Sequence, residues 1–242
     1  MSAAPFIALL DGWRGDPMHA IAALGVFAAL VAIAFSIESM RETARRRSLA
    51  DWAARRGFRL VVDAATAAPP QRWRFFNTGV RRKFASVVEG TAPEGGPRFR
   101  IFRYVFVDDS GRRAKWHQFV CGMTEEHAAA SDGRVRVPDL QARPRRMIDS
   151  IGLGFGGGMK FAEDPAFGES YRVYADDEQA AAAFLDRELK AALLSDARTS
   201  WSGFGGGSVF VAIPHVGAPE VYDDAERLLL KLHQALVARL AR

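Results

Sequence analysis

His117 and Cys121, four positions apart in KWHQFVCGM (115–123), come nearest to a base with its nucleophile in this sequence. A thiol attacks as the thiolate, and needs a neighbouring base or positive charge to reach that form at neutral pH. The stretch reads as a β-strand, however. There residues i and i+4 share a face but stand about 13 Å apart at ~3.3 Å per residue, beyond hydrogen-bonding reach. A buried structural cysteine is the simpler reading of Cys121. Glu89 is the further residue that an assembled enzymatic site would draw on. Glu125, Glu126, His127 and Asp132 crowd one loop without metal-ligand spacing, and neither H-E-x-x-H nor G-x-S-x-G occurs. The acidic pairs Asp108–Asp109, Asp176–Asp177 and Asp223–Asp224 fall at turns or helix starts, where acids serve the backbone. His215 and His233 have no convergent partners in sequence. No catalytic residue is assigned from these patterns, and neither a metal nor a cofactor is expected.

Two glycine runs invite a nucleotide reading. GLGFGGG (152–158) contains G-x-G-x-x-G at Gly152, Gly154 and Gly157, and GFGGG recurs at 203–207. The dinucleotide motif needs a strand before it and a helix after it. Here MKFAEDP follows, strand-like and then broken by Pro165, and no P-loop lysine stands at the right offset. Both runs are expected to be turns. RWRFF (72–76) and RFRIFRY (98–104) interleave arginine with aromatics, as nucleic-acid surfaces do. Without a recognisable nucleic-acid motif, the alternation is read as one solvated face of a strand, and no nucleic-acid partner is expected.

The elements around these residues begin with a membrane segment. Met18 to Ile37 is 20 residues without a formal charge, enough to cross a hydrocarbon core of about 30 Å. A cleaved signal peptide fits poorly: Arg14 is the sole basic residue before the run, and ESMRETARRR follows it. Residues 1–17 hold that one arginine, whereas residues 38–59 hold seven: Arg41, Arg45, Arg46, Arg47, Arg55, Arg56 and Arg59. Basic residues stay on the cytoplasmic side. The expected arrangement is a single-pass protein of the bacterial inner membrane. Residues 1–17 lie outside, 18–37 span, 38–57 form a basic juxtamembrane helix, and 58–242 form a cytoplasmic domain. Arg41, Arg45, Arg46 and Arg47 lie close enough to the membrane exit to meet anionic headgroups. Gly25 with Ala29 and Ala28 with Ala32 have the small-xxx-small spacing that lets helices pair in lipid, so a homodimer is one possible assembly.

Composition suits a globular domain beyond that segment: 49% of the 242 residues are hydrophobic and 25% charged, and one cysteine excludes an internal disulfide framework. Residues 38–148 carry 23 Lys and Arg against 12 Asp and Glu, while residues 149–242 carry 9 against 14. The half next to the apolar segment is the basic one.

Along this part, Leu49, Trp52 and Ala53 share a helix face that Gly57 ends. FRLVV (58–62) is expected to be a strand and DAATAAPP (63–70) a linker. RKFASVVEGT (82–91) alternates Phe84, Ser86 and Val88 against Lys83, Ala85 and Val87. RFRIFRYVFV (98–107) is apolar on both faces in its second half, the mark of a covered central strand. KWHQFVCGM and RVRVP (134–138) complete an antiparallel meander. MKFAE and SYRVYA read as strands flanking EDPAFG. Asp177 to Leu194 reads as one amphipathic helix capped by Asp176. TSWSGF and SVFVAIP form a hairpin, and Pro219 opens a final amphipathic helix with Val221, Ala225, Leu228, Leu229, Leu232, Leu236 and Leu240 inward. The predicted class is α+β: an N-terminal transmembrane helix, a meander, strand–helix units and a C-terminal helix.

DWAARRGFRL (51–60), GVRRKFASVVEGT (79–91), RIFRYVFV (100–107) and MKFAEDPAFGESYRVYADDEQAAAAFL (159–185) together resemble a family of uncharacterised bacterial single-pass membrane proteins, a domain of unknown function. The resemblance spans most of the chain and departs from the family in the glycine-rich stretch at 152–158. It implies one N-terminal anchor, a basic juxtamembrane helix and an α+β domain, with no activity to carry over. The leading functional expectation is a membrane-anchored interaction module that binds a partner protein or the anionic lipid surface. The alternative is a membrane-tethered enzyme using scattered residues such as His117, Cys121 and Glu89.

Overall fold

A computed structural model of the chain describes residues 17–61, 73–109, 114–125, 137–145, 158–195, 201–214 and 220–242. It divides between Ser48 and Leu49 into two units. The first is built from helix α1 (Pro17–Arg55), whose last two turns belong to the second unit. Ile21, Leu24, Val26, Phe27, Leu30, Val31, Ile33 and Phe35 are all exposed. Apolar side chains on every side of a helix, none of them covered, are not those of a core helix in a water-soluble fold. Among the described residues there is thus one helix long and apolar enough to cross a membrane.

The second unit, from Leu49 on, starts with a helix end that its sequence specifies closely. Gly57 takes φ +70°, and its N–H donates to the Ala54 carbonyl at 3.1 Å. The Phe58 N–H donates back to the Ala53 carbonyl at 2.8 Å. This is a Schellman ending, and glycine supplies the left-handed residue it needs. It folds Phe58 back onto Trp52, ring centroids 5.6 Å apart, and launches the chain into β1 (Arg59–Val61).

Strands β2 (Val80–Thr91), β3 (Arg98–Asp108) and β4 (Lys115–Thr124) follow β1 as an antiparallel meander. Beyond β4 the order is β8 (Ser208–Pro214), β7 (Trp201–Gly205), β5 (Leu140–Pro144) and β6 (Tyr171–Ala175), giving eight strands among the described residues, all paired antiparallel. The fold is α+β, as expected. The β7–β8 hairpin turns on Gly206 and Gly207, both at positive φ; only these two of the second glycine run form a turn, while Gly203, Phe204 and Gly205 belong to strand β7.

One face of the sheet is covered by helices α2 (Pro165–Ser170), α3 (Glu178–Phe184), α4 (Arg187–Leu194) and α5 (Glu220–Leu240), together with the end of α1. Ala225, Leu228, Leu229, Leu232 and Leu236 of α5 are buried there, while Val221 and Leu240 are half-buried. The other face is closed by a 3₁₀ turn, Arg74–Asn77. Trp73, Phe75 and Phe76 from this turn enter an aromatic layer with Phe102, Tyr104, Phe106, Phe119, Trp201 and Phe210. The Phe75 N–H donates to Gln141 Oε1 at 3.0 Å, and the Tyr104 hydroxyl donates to the Phe76 carbonyl at 3.2 Å. Burial holds the Tyr104 phenol far above its ordinary pKa.

Several sequence expectations need correction. Strict alternation fails in β2, where Arg81 and Ser86 take positive φ at two register shifts. These are β-bulges, and each turns the following residues over. Phe84 and Val87 therefore share the aromatic face while Val88 points to the helices. MKFAE is no strand: Met159 makes one bridge to Val173, and the chain then turns. EDPAFG is helical, because Asp164 accepts from the Phe167 N–H at 3.1 Å and Pro165 fits the first turn. The stretch 177–194 is two helices, since Asp186 caps α4 by accepting from the Leu189 N–H at 2.9 Å. Asp177, not Asp176, caps α3; Asp176 instead pairs with Arg74 at 3.0 Å. Strand β5 had no counterpart in the sequence reading. The linker 63–70, the GLGFGGG turn from 152 to 157, Pro219 and residues 134–136 of RVRVP lie outside the described residues; Val137 and Pro138 are irregular.

Candidate functional site

The residues that suggested an enzyme are not brought together. Cys121 is fully buried in the aromatic layer opposite Phe102, and burial pushes its thiol well above the usual range. His117 lies opposite Phe106 and stacks on its ring at 5.2 Å. Burial lowers its pKa, with Asp108 opposing the shift. Glu89 sits two strands away on β2, opposite Arg100. Of the acidic loop residues only Glu125 is described, and among the described residues no group of three or more His, Cys, Asp or Glu could hold a metal. His215 lies outside the described residues, and His233 is buried in α5.

Of the two arginine–aromatic stretches, the first forms no strand, and the second has a solvated face only at Arg98 and Arg100. Trp73, Phe75 and Phe76 close the second face of the sheet, and Arg74 alone of the described residues in that stretch points out. In β3, Phe99 and Ile101 face the helices while Phe102 and Tyr104 face the aromatic layer, and Arg103 is buried. Both sides of the strand are inside from Ile101 on, whereas Arg98 is exposed and Arg100 half-buried on the face of Phe102.

In the first unit, Arg41, Arg46 and Arg47 are exposed and Arg45 half-buried. Glu42 pairs with Arg45 at 3.9 Å and Arg46 at 3.4 Å. At about 100° per residue these four arginines are spread around the helix, a collar rather than a stripe.

The clearest concavity in the second unit is a cleft of about 600 Å³ at the β1 edge. It is lined by Arg56, Arg59, Arg98 and Arg100, by Glu89 and Glu125, and by Phe58 and Phe99. Register builds its centre. Arg59 of β1, Glu89 of β2 and Arg100 of β3 are directly opposite one another in successive strands, so all three share a face. Arg59 Nη2 donates to Glu89 Oε2 at 2.5 Å, and Arg100 Nε lies 3.0 Å from Oε1. The Arg59 contact, joined by Arg100, holds the Glu89 carboxyl below the usual carboxylate range against the opposing effect of burial. Arg98 and Thr91 form the next pair on the same face. On the opposite face of the sheet, Gly90 leaves room for the rings of Phe58 and Phe99, which a side chain there would meet at 2.6 Å and 2.8 Å.

Behind the cleft, Arg56 Nη2 donates to Asp223 Oδ1 at 2.7 Å and lies 3.5 Å from Glu226. Trp52 Nε1 donates to the same Asp223 oxygen at 2.9 Å. Burial raises the Glu226 carboxyl, with Arg56 opposing. Sequence reasoning placed Arg56 and Arg59 only in the topology signal, and singled out Glu89 without its partners. The usable signal was the charge alternation Arg59, Glu89, Arg100 on predicted strands, which means nothing until the register is known.

No family model and no curated protein matches the chain. Its fold is similar to a solved one. The crystal structure of the mycobacterial trehalose monomycolate transport factor A, TtfA, superposes with a TM-score of 0.53 over 79% of this chain and 94% of that one, at 16% sequence identity. At that identity the likeness is one of fold.

Proposed function

We propose that this chain is a membrane-anchored interaction module, a member of the resembled family of single-pass membrane proteins, with its sheet domain on the cytoplasmic side of the inner membrane. The observation that carries the reading is the uncovered apolar stretch of α1, followed by seven arginines between residues 38 and 59. An exposed surface of that kind is stable in lipid, and the arginine imbalance orients it. The arginine collar at 41–47 adds attraction to anionic headgroups of about 1 kcal/mol per nearby charge, which Glu42 partly offsets. The role that fits is binding a partner protein or the anionic lipid surface. TtfA is a transport factor, and its similar fold is compatible with an accessory role beside a transport step. The enzymatic alternative is weakened, because Cys121 is inaccessible and His117 and Glu89 lie on separate rows of the sheet.

A phosphatase reporter that folds only outside the cytoplasm, fused after Arg242, tests the arrangement. It is expected to be inactive, and a fluorescent protein at the same position bright. Strong phosphatase activity refutes the orientation. Replacing Arg41, Arg45, Arg46 and Arg47 by glutamine is expected to give mixed orientation, since Arg55, Arg56 and Arg59 remain.

A further inference from the structure

The cleft at the β1 edge brings Arg59, Arg98 and Arg100 to one concavity with Glu89 and Glu125, a formal excess of one positive charge, while Arg56 at its border is already paired with Asp223 and Glu226. We propose that it is a binding site for a phosphate-type oxyanion, as a free phosphate ester or as an anionic headgroup, with Glu89 as the resident counter-ion that the ligand displaces from Arg59. The site stands on the sheet domain alone and goes beyond the topology proposed above.

Three features carry this. First, the Glu89 carboxylate already sits where an oxyanion would. Its two oxygens are held from opposite sides by Arg59 and Arg100. Planar guanidinium forks match carboxylate and phosphate alike, and a phosphate offers more oxygens and more charge than the carboxylate it replaces. Second, the donors are available. The Arg59 side chain is 78% exposed and keeps further N–H groups beyond the one given to Glu89. Exposed Arg98 stands beside Arg100 on the same strand face, with Thr91 opposite it as a hydroxyl donor. Third, the shape suits a small ligand. About 600 Å³ lies within the range of small-molecule sites. Arg56 is held back by Asp223 and Glu226, which leaves Arg59, Arg98 and Arg100 as the donors offered to a ligand.

The test uses the full-length protein in phosphatidylcholine nanodiscs at low salt, titrated calorimetrically with glycerol 3-phosphate, inorganic phosphate and glycerophosphoglycerol, with glycerophosphocholine as the zwitterionic control. Saturable one-to-one binding of at least one anion below ~10 mM is expected. Arg59→Gln and Arg100→Gln should each weaken it about tenfold or more, and Arg98→Gln, an exposed change that leaves the fold intact, about threefold. Glu89→Gln should tighten it about threefold or more, because a competing anion is gone. The Arg41→Gln, Arg45→Gln, Arg46→Gln, Arg47→Gln variant should bind unchanged. Preference for glycerol 3-phosphate or inorganic phosphate identifies a free phosphate as ligand. Preference for glycerophosphoglycerol, with the signal lost in phosphatidylglycerol nanodiscs, identifies a lipid headgroup. Absence of saturable binding, equal binding of glycerophosphocholine, or wild-type affinity in both Arg59→Gln and Arg98→Gln overturns the site. Weaker binding in Glu89→Gln overturns the counter-ion role.

Discussion

Phe75 tests whether the 3₁₀ turn is the lid of the second core or a surface decoration. Its side chain is fully buried, with ring centroids within 5.0–6.4 Å of Phe76, Tyr104, Phe106, Phe119, Trp201 and Phe210. Phe75→Ala removes a ring from the centre of that layer. The loss combines transfer and cavity terms, about 3–5 kcal/mol for a buried phenylalanine. In a domain of 150–250 residues each kcal/mol lowers the melting temperature by about 2–4 °C, so a fall of ~6–20 °C is expected. The neighbouring residue is the control. Arg74 pairs with Asp176 across 3.0 Å, but both side chains are more than half exposed. Arg74→Gln should cost less than about 1 kcal/mol, because water screens such a pair. The assay is near-ultraviolet circular dichroism of the full-length protein in mild detergent, where the packed aromatic layer itself gives the signal. A fall of less than about 2 °C for Phe75→Ala, or an equal fall for both variants, would mean that this turn does not close the sheet.

Two further outcomes follow from ionisation and burial. Cys121 should not react with a disulfide reagent in the folded protein and should react stoichiometrically in denaturant, because the thiol is enclosed and held protonated; rapid reaction under native conditions would reopen the nucleophile reading. Glu89 and Glu226 should show opposite pH signatures in denaturant titrations. Glu89 has a folded pKa below its unfolded value, so its stabilisation is full above about pH 4.5 and lost as pH falls through the folded pKa. The gap between wild type and Glu89→Gln should therefore close in acid. Glu226 has a folded pKa above its unfolded value, so wild type should lose ground to Glu226→Gln as pH rises from about 4 towards 7. Parallel pH profiles for the two variants would contradict both assignments.

Much of this fold was legible because local rules and tertiary packing agree. The charge-free run predicts an uncovered helix, Gly57 predicts the helix end, and the density of aromatic and β-branched residues in 98–107 predicts a strand covered on both sides; the structure has each. The misreadings occur where a side chain changed the backbone's options. Asp186 and Asp164 each offer a cap, so a continuous helix breaks in one place and an expected loop becomes a helix in the other. Arg81 and Ser86 sit at bulges, which no period-two pattern can anticipate.

RWRFF was misread for a different reason. Its composition allowed a solvated strand face or a nucleic-acid surface. What decides its place is that β3, β4, β7 and β8 present a second apolar face that must be covered, and the nearest aromatic run of the chain covers it. The cleft shows the same dependence from the polar side. Arg59 and Glu89 are separated by 30 positions and meet only because the Schellman turn at Gly57 sets the phase of β1 against β2. A one-residue slip of that register would turn Arg59 to the opposite face from Glu89 and leave the carboxylate with Arg100 alone. The helix end and the charge row are therefore one device. Any change at Gly57 that prevents positive φ should be felt first in the Arg59–Glu89 pair, before it is felt in the sheet as a whole.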